Sequence, residues 1–174
     1  MQNSLAKSTT TIPKNEKTEK TILLESQIET FMQALEGDEI WHDFFYTAIM
    51  TGMRRGEICG LKWSDIDFDN DCIHIEQQMH YQEGLITLSP LKTRNAKRTL
   101  YMHSKLKAHL MAIKAEVDEA DILIPNIRKQ NQTIITDSAG APVSSLQLVN
   151  SLTNGKIQTV NSMKYHSRKI KETL

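Results

Sequence analysis

Thr51-Gly52-Met53-Arg54-Arg55-Gly56-Glu57-Ile58-Cys59-Gly60-Leu61-Lys62-Trp63-Ser64-Asp65-Ile66-Asp67 is the stretch on which the reading of this 174-residue chain turns. Gly52 closes a helical pattern over about 39–51, whose apolar positions are Trp41, Phe44, Phe45, Ala48 and Ile49. A short helix is expected to follow from near Arg54 to about Leu61, which puts Glu57 one turn (i, i+3) after Arg54. Leu61 and Trp63 are expected in the core and Arg55 at the surface. Spacing alone favours an exposed helix ion pair for Arg54 and Glu57, and such pairs contribute little.

Upstream, Ser26 and Glu29 have capping-box spacing, and Ile28, Phe31, Met32 and Leu35 share one helical face, with Gly37 as a stop. Residues 1–20, rich in Thr, Lys, Asn and Ser without apolar period, read as a flexible arm. Downstream the period changes. Strands are expected at Cys72–Ile75, Leu85–Leu88 and Thr99–Met102, with turn signals at Asp69-Asn70-Asp71 and Glu83-Gly84 and a basic loop over Leu91–Lys97. A helix over about 104–118 follows, carried by Leu106, Leu110, Ile113 and Val117. Then come a short extended piece at Ile134-Ile135, a turn at Gly140-Ala141-Pro142, and helices over about 144–152 and 160–173. Helices, a small meander and helices again make an α+β chain, mainly helical with a small three-stranded antiparallel sheet.

At 39% hydrophobic content the chain can bury one core. No apolar run approaches the roughly 20 residues of a membrane span, and the N-terminus has no secretory pattern. Cys59 and Cys72 are the only cysteines and lack a metal-type spacing, so no metal site or disulfide is expected, and a reducing cytoplasm fits. The formal net charge of zero conceals segregation. Residues 25–76 hold twelve acids against three bases, whereas residues 77–174 hold fourteen Lys and Arg against seven acids. A basic half of this kind can follow a phosphate backbone, although an unevenly charged solvated surface looks the same in composition.

The quoted stretch resembles the first motif of the tyrosine recombinases of the phage-integrase type, T-G-x-R-x-x-E-hydrophobic-x-x-L-x-W-x-D-hydrophobic-D, without a gap. Leu91-Lys92-Thr93-Arg94-Asn95-Ala96-Lys97-Arg98 resembles the second landmark, K-T-x-x-S-x-R, with Ala96 where Ser is usual. The resemblance implies site-specific DNA recombination and integration of the mobile-element type. In that chemistry a Tyr hydroxyl attacks a phosphodiester and leaves a phosphotyrosyl link that a second strand end displaces. Arg54 would be the first of two Arg that stabilise charge on the non-bridging oxygens, with Glu57 supporting it. Lys92 would be the general acid on the leaving 5′-oxygen, and Arg94, Lys97 and Arg98 would contact DNA. Double-stranded DNA and other recombinase protomers are the implied partners. No cofactor, metal, membrane or small-molecule substrate is implied.

The family's later groups, a His-x-x-Arg box and the Tyr nucleophile, are not matched. His166 is followed by Lys169 three residues on, and Tyr165 precedes the His. Residues 164–169 therefore read as part of a basic amphipathic helix. By resemblance residues 21–174 form the N-terminal part of a catalytic domain without its His-x-x-Arg and Tyr segment, and no strand cleavage by this chain alone is expected. The alternatives are a non-catalytic module that binds DNA or docks on a recombinase, and a poorly folded remnant.

Overall fold

The computed structural model describes residues 22–91, 93 and 96–162. It opens with helices α1 (Glu25–Gln33), α2 (Glu39–Thr51) and α3 (Arg55–Cys59), followed by a 3-10 turn at Trp63–Asp65. Strands β1 (Ile66–Asp67), β2 (Cys72–Ile75), β3 (Gln77–Gln82), β4 (Leu85–Pro90) and β5 (Arg98–Tyr101) come next. Helices α4 (Ser104–Leu123) and α5 (Pro125–Asn131) precede a last pair of strands, β6 (Ile134–Thr136) and β7 (Pro142–Ser144).

The α+β class and a three-stranded antiparallel sheet are both present, but the sheet's membership differs from the meander expected. β1, β2 and β5 form it, with Ile66 opposite Ile73 and Ile75 opposite Arg98. The 85–88 segment sits instead in a four-stranded sheet ordered β3-β4-β6-β7, in which β4 and β6 run parallel. The reason is β3, a strand of sequence QQMHYQ whose one buried residue is Met79. It has no apolar alternation to announce it, and its partner supplies the order. Glu83 and Gly84, both at positive φ, make the tight turn that closes the β3–β4 hairpin with Met79 opposite Leu88.

Other differences are local. α1 is capped at Leu24, whose N–H donates to Gln27 Oε1 at 2.9 Å, two residues ahead of the expected Ser26 box. α4 runs on to Leu123. The helix expected over 144–152 is a single 3-10 turn at Ser145–Gln147. Its continuation is spent on the motif segment, where Lys62 and Leu148 form a bridge and Val149 N–H donates to Leu61 O at 2.9 Å. Residues 160–162 are helical, and the rest of the helix expected over 160–173 lies outside the described residues.

One core ties these pieces together. Trp41 and Phe44 from α2, Ile58 and Cys59 from α3, Ile73 and Ile75 from β2, Leu106 and Leu110 from α4, and Ile135 and Leu148 all belong to it. Each fully buried aliphatic side chain among them contributes about 1.5–3 kcal/mol.

Close approach of α3 to β3 fixes where the motif stands. A Cβ on Gly60 would meet the backbone N of Met79 at 2.8 Å, and Gly60 O accepts from Gln77 Nε2 at 2.7 Å. Gly60→Ala must push the helix off a strand, so a loss of about 1–3 kcal/mol is expected as a lower urea midpoint. An unchanged midpoint would mean that α3 is not seated on β3 in solution.

Candidate active site

Three consecutive local decisions place Arg54. α2 ends at Gly52 in the left-handed region (φ 62°), a conformation that costs glycine little. Thr51 then holds the turn, its hydroxyl donating to Thr47 O at 2.6 Å and accepting from Met53 N–H at 3.2 Å. Arg54 follows in extended conformation at the N-cap of α3, where its own N–H donates to Glu57 Oε2 at 2.9 Å.

Glu57 is 1% exposed and sits between two guanidinium groups. Arg54 Nη1 donates to Oε1 at 2.9 Å. Arg98, at the start of β5, donates from Nη2 to Oε2 at 2.8 Å and from Nη1 to Oε1 at 3.2 Å, a two-pronged grip. Burial by itself pushes the Glu57 carboxyl up. The hydrogen bonds from Arg98 and Arg54 outweigh it and bring the carboxyl down to about 2. The same bonds raise Arg98. The carboxylate is therefore a permanent negative anchor at neutral pH.

The two arginines differ in what remains free. The side chain of Arg98 is 29% exposed and tied at both nitrogens, Nη1 reaching Ala96 O as well at 3.3 Å. That of Arg54 is 73% exposed and held at Nη1. Together with Gly52, Thr93 and Ala96 they line an open cleft of about 430 Å³. An anion entering it meets two guanidinium groups whose positions are set by one buried carboxylate. Lys97 stands exposed on the approach to β5, 4.0 Å from Glu76, at the outer limit of an ion pair. Lys92 and Arg94 lie outside the described residues, as do Tyr165 and His166.

The sequence paired Glu57 with Arg54 only and grouped Arg98 with the DNA contacts. The link from Glu57 to Arg98 spans 41 residues. The signal for it was present as the final R of the K-T-x-x-S-x-R pattern, but no local spacing connects the two motifs.

Residues 21–166 match the family model described as the phage integrase family. The chain belongs to the phage integrase family. A tyrosine recombinase XerC-like protein of Caldanaerobacter subterraneus subsp. tengcongensis is 35% identical over 101 residues, covering 48% of this chain and 25% of that protein. The ICEBs1 integrase of Bacillus subtilis is 30% identical over 81 residues, covering 46% of this chain and 22% of that one. In fold, this integrase-family chain is similar to the Tn1549 transposon integrase in complex with transposon right end DNA. That match has a TM-score of 0.66 and 21% identity, and covers 91% of this chain and 47% of that one. It is also similar to XerA recombinase, with a TM-score of 0.53 and 15% identity, over 88% of this chain and 43% of that chain. The chain thus spans about a quarter of the curated relatives' lengths and under half of the solved chains.

Proposed function

We propose that residues 21–174 are the N-terminal part of a recombinase catalytic domain, acting on double-stranded DNA in the cytoplasm with other recombinase protomers, in site-specific integration of mobile DNA. The observation that carries this reading is the cleft in which exposed Arg54 is held by buried Glu57 and backed by Arg98. Such pre-positioned donors stabilise charge developing on the non-bridging oxygens of a phosphodiester without reorganising during the reaction. Arg54 is the phosphate-contacting group and Glu57 the residue that positions it. Lys92 supplies the proton to the leaving 5′-oxygen. Arg94 and Lys97 contact the DNA backbone, and Arg98 adds its charge to the cleft while locking Glu57. The assigned groups bind and polarise the phosphate; the attacking Tyr is not among them.

The matching family and the fold likeness to the DNA-bound Tn1549 integrase support the substrate class. Binding of the chain to duplex DNA, measured across a salt series, tests it. Each phosphate neutralised contributes a slope of about −0.9 in log K against log salt. Arg54→Ala and Lys97→Ala are each expected to make the slope shallower by about 1. No binding at low salt, or a slope indifferent to Arg54→Ala, would sink the assignment. Binding with the wild-type slope kept in Arg54→Ala would favour a non-catalytic DNA-binding module that uses other basic residues.

A further inference from the structure

On the outer face of the three-stranded sheet, away from the Glu57 cleft's own residues, Asp67, Cys72 and His74 converge. Asp67 and Cys72 face each other across the β1–β2 pair, and Cys72 and His74 are i, i+2 neighbours on one face of β2. Their candidate ligand atoms, a carboxylate oxygen, Cys72 Sγ and a His74 ring nitrogen, all lie within 4.8 Å of one another. We propose that this cluster is a binding site for a borderline-soft divalent cation of the Zn²⁺ class, with three protein ligands and solvent at the fourth position.

Geometry is the first argument. Tetrahedral Zn²⁺ with Zn–S of about 2.3 Å and Zn–N of about 2.0–2.1 Å needs its sulfur and nitrogen ligands about 3.6 Å apart. Cys72 Sγ and His74 Nε2 stand 3.7 Å apart. The second argument lies behind the ligands. His74 Nδ1 is 3.2 Å from Thr99 Oγ1 on the paired strand β5, a contact that leaves Nε2 as the lone-pair nitrogen when Nδ1 is the donor. Asp67 is held as well. Oδ1 accepts from the N–H groups of Asp69 (3.0 Å) and Asn70 (2.9 Å), and Oδ2 accepts from Asn70 Nδ2 at 2.7 Å. Oδ1 is filled by its two hydrogen bonds, whereas Oδ2, with one, keeps a lone pair for a metal.

The donor set decides the metal. One thiolate, one imidazole and one carboxylate suit Zn²⁺ or Co²⁺ and do not suit Ca²⁺ or Mg²⁺, which take oxygen ligands. Two anionic ligands neutralise the dication. Binding breaks the Cys72 S–H bond, forms the S–metal bond and releases the proton to solvent. The ion ties together the two ends of the 68–71 turn, immediately after the motif that carries Arg54. It does not depend on the recombinase reading.

The test is a titration of the reduced chain with Co²⁺ and then Zn²⁺, following the near-ultraviolet thiolate-to-cobalt charge-transfer band. Both cysteines are buried, Cys59 at 0% and Cys72 at 6% exposure, so the Cys72→Ser variant is what assigns the band to Cys72. Saturation at one ion per chain, displacement by Zn²⁺, and a melting temperature raised by roughly 5–10 °C at a hundredfold excess over Kd are expected. His74→Ala, at an exposed position, should abolish the band while leaving the metal-free melting temperature unchanged, and Cys72→Ser should abolish it too. Absence of the band in the reduced wild-type chain, or its survival in His74→Ala, would overturn the site.

Discussion

Glu57→Gln is expected to cost about 2–4 kcal/mol of folding stability at pH 7. Removing one member of a buried ion pair costs about 3–5 kcal/mol, because the partner is left uncompensated. The figure is set lower here because the side chains of Arg54 and Arg98 keep 73% and 29% exposure and can recover some hydration. A glutamine has one acceptor oxygen and turns an NH₂ toward a guanidinium, donor against donor. The wild-type carboxyl lies at about 2 in the folded chain against an ordinary 4.5. Its stabilisation is therefore fully present above about pH 4.5 and is lost as pH falls through about 2. The shift corresponds to about 3 kcal/mol, the same interaction seen from the proton's side. Urea unfolding of both chains between pH 7 and pH 2 checks it. The gap between them should close as pH falls from 4.5; a gap constant with pH would mean that the carboxylate's charge is not what holds the two motifs together.

Arg128→Ala is expected to cost about 3–5 kcal/mol. Arg128 on α5 is 0% exposed. Its Nε donates to Asp121 Oδ1 on α4 at 2.6 Å, and its Nη1 to Leu152 O at 3.0 Å and Thr153 O at 2.7 Å. Truncation strands two carbonyls and opens a void where the side chain stood. Arg128→Met refills most of the volume and removes the charge, while Asp121, half exposed, can turn to solvent. About 1–3 kcal/mol is expected for it, from the stranded carbonyls. Nη2 has no hydrogen-bond partner among the described residues, so the wild-type site is itself not fully satisfied. The ordering Ala worse than Met, read from thermal or urea midpoints, tests the account. Equal losses would place the effect in the lost charge and carbonyl contacts and not in the packing.

Where the sequence was readable, a local period or a named turn carried the information. α2 and α4 follow from apolar residues three and four apart, β2 from Ile73 and Ile75, and the hairpin turn from Glu83-Gly84. The polar strand β3 and the short helix α5 were not readable. β3 carries one buried side chain, and α5 is fixed by the tertiary grip of Arg128 rather than by an apolar face. The 144–152 segment had helical spacing but gave up its backbone groups to Leu61 and Lys62. Nor was the approach of Asp67 to Cys72 readable, because the two meet only through strand pairing.

By itself the sequence determined the family, the α+β class, and Arg54 with Glu57 as one unit, because those rest on contiguous residues and short-range periodicity. Tertiary structure alone decided that Arg98 closes on Glu57 from 41 residues away, that Gly60 lets α3 touch β3, and that β1 rather than 85–88 completes the sheet of β2 and β5. A guanidinium's partner, a close backbone approach and a strand's neighbour are set by which surfaces the whole chain buries together. No window of the sequence holds that information.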